Sequence, residues 1–167
     1  IRYTTMKSVR AQDGRLRVRF EGGDAIFELG ARAADWAQRI LHPKSVLDKL
    51  GVKPGHRTAV LGVADAGFVR QLKAATGTTP VRRVVRGLDV VFFHAPVRAA
   101  LARLRTLRGA IKPDGAVWVV ALRGDPQVRE RDVLEAGRRA GLVDVKVVRF
   151  SGTQTAHKFV IPRSRRA

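Results

Sequence analysis

The stretch Ala116–Leu122 contains no polar residue, and this constrains the fold more than any other feature of the chain. A strand with one face in water alternates apolar and polar side chains, whereas one that is apolar throughout has both faces covered. Helical segments stand on either side of it to do the covering. Val97–Ala110 places Val97, Leu101 and Leu104, with Ile111 just beyond, at core-facing spacing, and Val128–Ala140 does the same with Val133, Ala136, Gly137 and Ala140. Further strands are expected at Arg57–Val63, near Val81–Val85 and at Asp89–Phe93, with a helix Phe68–Ala75 after the first. Strands alternating with helices predict a mostly parallel sheet with right-handed crossovers and Arg57–Val63 near its centre. The last two strands, Val143–Phe150 and His157–Ile161, flank Ser151-Gly152-Thr153, a loop too short for a crossover, so they must pair antiparallel.

The first 42 residues follow a different period. Leu16, Val18 and Phe20 alternate strictly with Arg15, Arg17 and Arg19, which puts the arginines together on one strand face. Asp13-Gly14 is a tight-turn pair before that strand, and Ala25–Leu29 alternates again after Gly22-Gly23. A helix over Ala31–Leu41 carries Trp36 and Ile40 on one side and stops at His42-Pro43, because the residue before proline avoids the helical region. The expected organisation is an accessory β-meander and helix over 1–42, then an α/β domain over 43–167 opening with a short helix Ser45–Leu50 and ending in the basic tail Arg163–Ala167.

Composition narrows the function classes. Absence of cysteine excludes disulfides, thiolate metal sites and cysteine nucleophiles and suits a reducing compartment. No apolar run reaches membrane-spanning length and the N-terminus has no signal-peptide pattern, so a cytoplasmic location is expected. Lys and Arg number 33 against 14 Asp and Glu, a formal charge of +19. A field of that sign attracts polyanions, making nucleic acid or an acidic protein the expected partners, although arginine enrichment also follows from a GC-rich genome.

Several segments sit where one known family carries its markers: Val52–Arg57 before the first strand of the sheet, Leu88-Asp89-Val90-Val91, Ile111–Gly115, and Ala140-Gly141-Leu142. With the closing antiparallel pair, residues 45–162 resemble class I S-adenosylmethionine (SAM)-dependent methyltransferases. In Lys49–Val52, Ile111–Val119, Gly141–Lys146 and Lys158-Phe159-Val160 they resemble a bacterial group of methyltransferase-like domains of uncharacterised function. The resemblance implies a reduced Rossmann-type sheet and a cofactor loop at Leu61–Phe68, where Gly62, Asp65 and Gly67 are the candidate cofactor-binding residues. It also exposes departures. Gly62 replaces the first acid, Ala64 and Ala66 replace glycines, and Arg83, Val84, Val85 and Arg86 stand where a second acid would hold the ribose. Added methyl groups crowd a loop that glycine leaves open, and lost carboxylates leave hydroxyls unpaired. The expectation is therefore a non-catalytic domain with no cofactor, whose basic surface binds nucleic acid or an acidic partner. The alternatives are a divergent SAM-dependent methyltransferase and a structural or oligomerisation module built on the meander.

His94, ahead of Ala95-Pro96 at a strand end, is the candidate catalytic residue, a general base or anion ligand, against a plain reading in which its ring bonds nearby backbone. Asp65 likewise reads either as a cofactor contact or as a helix cap. His42, His56 and His157 lack ligand spacing, so no metal is expected. The candidate nucleic-acid contacts are Arg15, Arg17 and Arg19 together with Arg82, Arg83 and Arg86; the meander arginines also read as a charged face that deters strand aggregation. Arg131, Glu135 and Arg138 read as an ordinary solvent face of a helix.

Overall fold

The computed structural model describes residues 3–42 and 45–166. The chain divides into two compact units, with the boundary between Ser45 and Val46.

In the first unit, β1 (Met6–Gln12), β2 (Arg15–Phe20) and β3 (Gly23–Glu28) form an antiparallel sheet in that order. Asp13 and Gly14 have φ of 50° and 72°, the paired left-handed conformation that a two-residue hairpin turn matching strand twist requires. Alternation sends Leu16 and Val18 inward, where they meet Val9 and, from α1 (Ala33–Leu41), Ala33 and Ala37. The arginines of β2 point to the opposite, exposed face.

The second unit runs α2 (Val46–Lys49), β4 (Thr58–Leu61), α3 (Ala66–Thr76), β5 (Leu88–His94), α4 (Leu104–Ala110), β6 (Ile111–Leu122), α5 (Glu130–Arg139), β7 (Val143–Arg149) and β8 (Gln154–Val160). The sheet order is β4-β5-β6-β8-β7: the first three are parallel, and β8 is antiparallel to both of its neighbours. β6 is buried on both faces. Val117 and Val119 join Leu88, Val91, Phe93 and Phe159 under Leu104, Leu107 and Val133 of α4 and α5. Trp118 and Val120 join Val60, Val90, Phe92 and Ala156 under Phe68 and Leu72 of α3. The Trp118 indole also donates to the Leu50 carbonyl at 3.1 Å, fastening the entry segment to the sheet.

The leading ends of the parallel strands are joined by one carboxylate. Asp89 accepts from the Arg57 backbone N–H and from Lys112 Nζ, each at 2.7 Å. Burial pushes this carboxyl up, but the Lys112 and Arg57 donors outweigh it and hold the group below its ordinary range.

Three local expectations are corrected. Beside β4, only Val81 pairs, through one bridge to Ala59, where a strand over Val81–Val85 was expected; Pro80 lacks a donor and the exposed Arg82 and Arg83 give no apolar face to hold a ladder. β4 consequently ends the five-stranded order instead of sitting at its centre. The expected helix over Val97–Ala110 is a tight 3₁₀ segment at Arg98–Arg103 that passes into α4.

Gly137 on α5 sets how closely that helix lies on the sheet, because a Cβ there would clash with the Phe159 ring. Gly137→Ala should destabilise the protein by about 1–3 kcal/mol through overpacking. Gly109→Ala in α4, where a Cβ meets nothing within 4 Å, should be neutral or stabilising through helix propensity. Chemical denaturation of both variants tests the pair, and equal effects would refute the close-packing account.

Candidate functional site

Parallel strands present their C-terminal ends at one edge of a sheet, and in open α/β sheets that edge is where ligands bind. Here the edge begins with Leu61, the last residue of β4, followed by Gly62 at φ 74°. A side chain at Gly62 would be strained by that conformation and would also place its Cβ 3.1 Å from the His94 carbonyl oxygen at the end of β5. Gly62 thus brings the two strand ends together, and the structure joins it to His94 as one constellation. Asp65 accepts from the Phe68 N–H at 2.9 Å and caps α3, as the plain reading of that residue has it. Gly67 lies in the first turn of the helix, where an added Cβ would come within 3.2 Å of the Asp65 carboxylate. A cavity of about 260 Å³ opens against this turn, lined by Val60, Gly62, Val63, Ala64, Val69 and Arg82.

His94 is half-buried, with Nδ1 2.9 Å from the Val120 carbonyl oxygen of β6. A carbonyl only accepts, so in the neutral ring Nδ1 carries the proton and Nε2 keeps the lone pair. The ring is therefore oriented by backbone and still has basic capacity.

The basic candidates separate by what neutralises them. Arg15 pairs with Glu28 at 3.2 Å, and Arg17 and Arg19 pair with Asp24 at 3.7 Å and 3.2 Å, so β3 answers much of the charge on β2. Arg82, Arg83 and Arg86 are exposed and make no ion pair among the described residues. Arg70 and Lys73, on the exposed side of α3, likewise make no ion pair among the described residues and were missed from the sequence. The readable sign was that no carboxylate occurs between Asp65 and Asp89.

His157 was also passed over. It is 3% exposed on β8, its Nδ1 has no partner, and it lines a groove of about 580 Å³ with Arg123, Arg129, Glu130 and Thr155 among its walls. Burial holds this imidazole below its ordinary pKa, with the Glu130 and Asp144 carboxylates pulling the other way.

No family model matches the chain, and no curated protein matches it. Solved structures do. A SAM-dependent methyltransferase from Aquifex aeolicus aligns with a TM-score of 0.56 at 15% identity, covering 75% of this chain and 93% of that one. A methyltransferase described as putative, from Thermoplasma acidophilum, aligns at 0.54 and 10% identity over 90% of both chains. Magnesium protoporphyrin IX methyltransferase from Synechocystis PCC 6803, solved with bound SAM, aligns at 0.53 and 15% identity over 70% of this chain and 74% of that one. The fold is methyltransferase-like.

These neighbours, one of them solved with bound SAM, contradict the expectation of no cofactor. The methyl group of Ala64 does not close the turn: it is one wall of the cavity, beside the left-handed Gly62. The turn offers a left-handed glycine and a wall of Val60, Val63, Ala64 and Val69 with Arg82, beside the start of α3. Residues 77–87 contain no carboxylate.

Two measurements bear on these assignments. Gly62→Ala should cost about 1–3 kcal/mol of stability, from the left-handed φ and the clash with His94, whereas Gly77→Ala, left-handed but unobstructed, should cost less; equal losses would remove the close-approach argument. For His157 the folded-state pKa lies below the ordinary 6.5, so the unfolded chain binds the proton more readily. The stability owed to the neutral ring is complete above that value and drains as pH falls below it. Thermal melts between about pH 8 and 5 should show a decline that His157→Gln makes shallower; parallel slopes would refute the assignment.

Proposed function

We propose that the unit from Val46 onward is a divergent SAM-dependent methyltransferase. The observation that carries this reading is the cavity at the turn between β4 and α3, held open by Gly62 beside His94, at the C-terminal edge of the parallel strands. The methyltransferase-like fold supports it. Gly62 and Gly67 let the backbone approach the methionine portion closely, and the N–H groups of Ala66 and Gly67, not used within α3, can donate to its carboxylate. When bound, SAM supplies a methyl group on a positively charged sulfur, open to attack by a nucleophile. His94 then has a defined task. Its Nδ1 proton is committed to Val120, so Nε2 would be the atom that accepts a proton from a methyl acceptor. The missing ribose carboxylate makes this a site in which backbone and shape carry more of the binding than charge does.

Titration calorimetry with SAM and S-adenosylhomocysteine should give saturable one-to-one binding tighter than about 1 mM, equivalent to about −4 kcal/mol. Gly62→Val should weaken binding at least about tenfold by filling the turn, while His94→Gln should bind SAM like the wild type and lose methyl transfer. Absence of binding by the wild type at millimolar SAM would overturn the reading.

A further inference from the structure

Arg70, Lys73, Arg82, Arg83 and Arg86 occupy a stretch with no carboxylate between Asp65 and Asp89, and all five are exposed. They come from two segments that lie against β4. Arg70 and Lys73 are three residues apart on α3 and share its outer face. Arg82 and Arg83 follow directly on Val81, whose N–H and C=O bond to Thr58 and Val60 of β4. The Arg86 carbonyl accepts from the Arg57 guanidinium at 3.1 Å, so that turn too is fixed to the start of β4.

Two of the five stand by the turn that carries the cavity. Arg82 is one of its walls, and Arg70 Nη2 lies 4.0 Å from where a Cβ of Gly67 would stand. Asp65, the acid on that turn, is engaged with the Phe68 N–H, and Asp89 is engaged by Lys112 and the Arg57 N–H. No carboxylate in the stretch 66–88 compensates these five charges, so the surface that carries them attracts anions.

We infer that the acceptor of this site is a nucleic acid, held by its phosphates on the rim of Arg70, Lys73, Arg82, Arg83 and Arg86; as a statement about an acceptor, the inference rests on the methyl-transfer reading. Four of the five side chains are arginine, whose planar fork matches phosphate oxygens bidentately. No exposed large apolar side chain lies between Asp65 and Asp89, so the rim lacks the anchor that would let it enter a lipid surface. It also has no exposed aromatic for base stacking, so the contact is to the backbone and tolerant of sequence. The β2 arginines, paired with Asp24 and Glu28, are the internal control.

The test is fluorescence anisotropy of the full chain with mixed-sequence RNA and DNA of about 20 nucleotides at about 50 and 200 mM salt. Wild type should bind, with affinity falling steeply with salt. Arg82→Gln/Arg83→Gln/Arg86→Gln should weaken binding at least about tenfold and flatten the salt slope by about two. Arg15→Gln/Arg17→Gln/Arg19→Gln should stay within about threefold of wild type. Arg70→Gln/Lys73→Gln, on a different element, should weaken binding in the same direction and serves as the reading if the first variant fails to fold. No binding by wild type, equal losses in the two triple variants, or equally tight binding to polyglutamate or to phosphatidylserine vesicles would overturn the inference. SAM titration of the same proteins separates the two readings. Oligonucleotide binding without SAM binding would refute methyl transfer and leave the rim as a nucleic-acid surface, whereas SAM binding without oligonucleotide binding would refute the rim alone.

Discussion

The two-sided burial of β6 is the constraint on which the second unit depends. Val117, Trp118, Val119 and Val120 are fully shielded from solvent, and no single apolar layer could achieve that for consecutive residues of a strand. Odd-numbered positions require α4 and α5 on one face, and even-numbered ones require α3 and the Leu47–Val52 segment on the other. β6 is also where the sheet changes direction, parallel to β5 on one side and antiparallel to β8 on the other. The same strand therefore fixes the layers and orients the parallel half, which gives the site its edge.

The parallel strands are drawn together by a close approach at each end. At one end of the parallel strands Asp89 gathers the Arg57 N–H and Lys112. At the other, Gly62 lets β4 close against the His94 carbonyl while Val120 holds the His94 ring. The His94 ring is thus placed by backbone atoms of neighbouring strands and needs no carboxylate. The connection after α3 is reduced to one bridge at Val81: the chain there has no ladder to hold a side chain at a set position, and exposed arginines occupy it.

Charge was abundant in the sequence, but its disposition was not readable there. Arg15, Arg17 and Arg19 drew attention because strict alternation puts them on one face, and they do share it. What alternation omits is the next strand, where Asp24 and Glu28 fall within reach of them. Arg82, Arg83 and Arg86 looked like a local cluster; that α3, which carries Arg70 and Lys73, and the Val81 segment both pack along β4 was not readable. His157 was indistinguishable from the other scattered histidines until the burial of β8 between β6 and β7 became visible.

The sequence alone determined the elements whose cause is local or periodic: the uninterrupted apolar strand at Ala116–Leu122, the Asp13-Gly14 hairpin turn, the antiparallel closing pair, and the Asp65 cap of α3. Each follows from side-chain period, chirality or a hydrogen bond spanning few residues. Only the tertiary structure decided that a Val81–Val85 strand would shrink to one bridge, that Ala64 would line a cavity, and which arginines would keep their charge unpaired. Those outcomes depend on distances between residues far apart in the chain, and neither pattern nor composition encodes a distance until the helices close over β6.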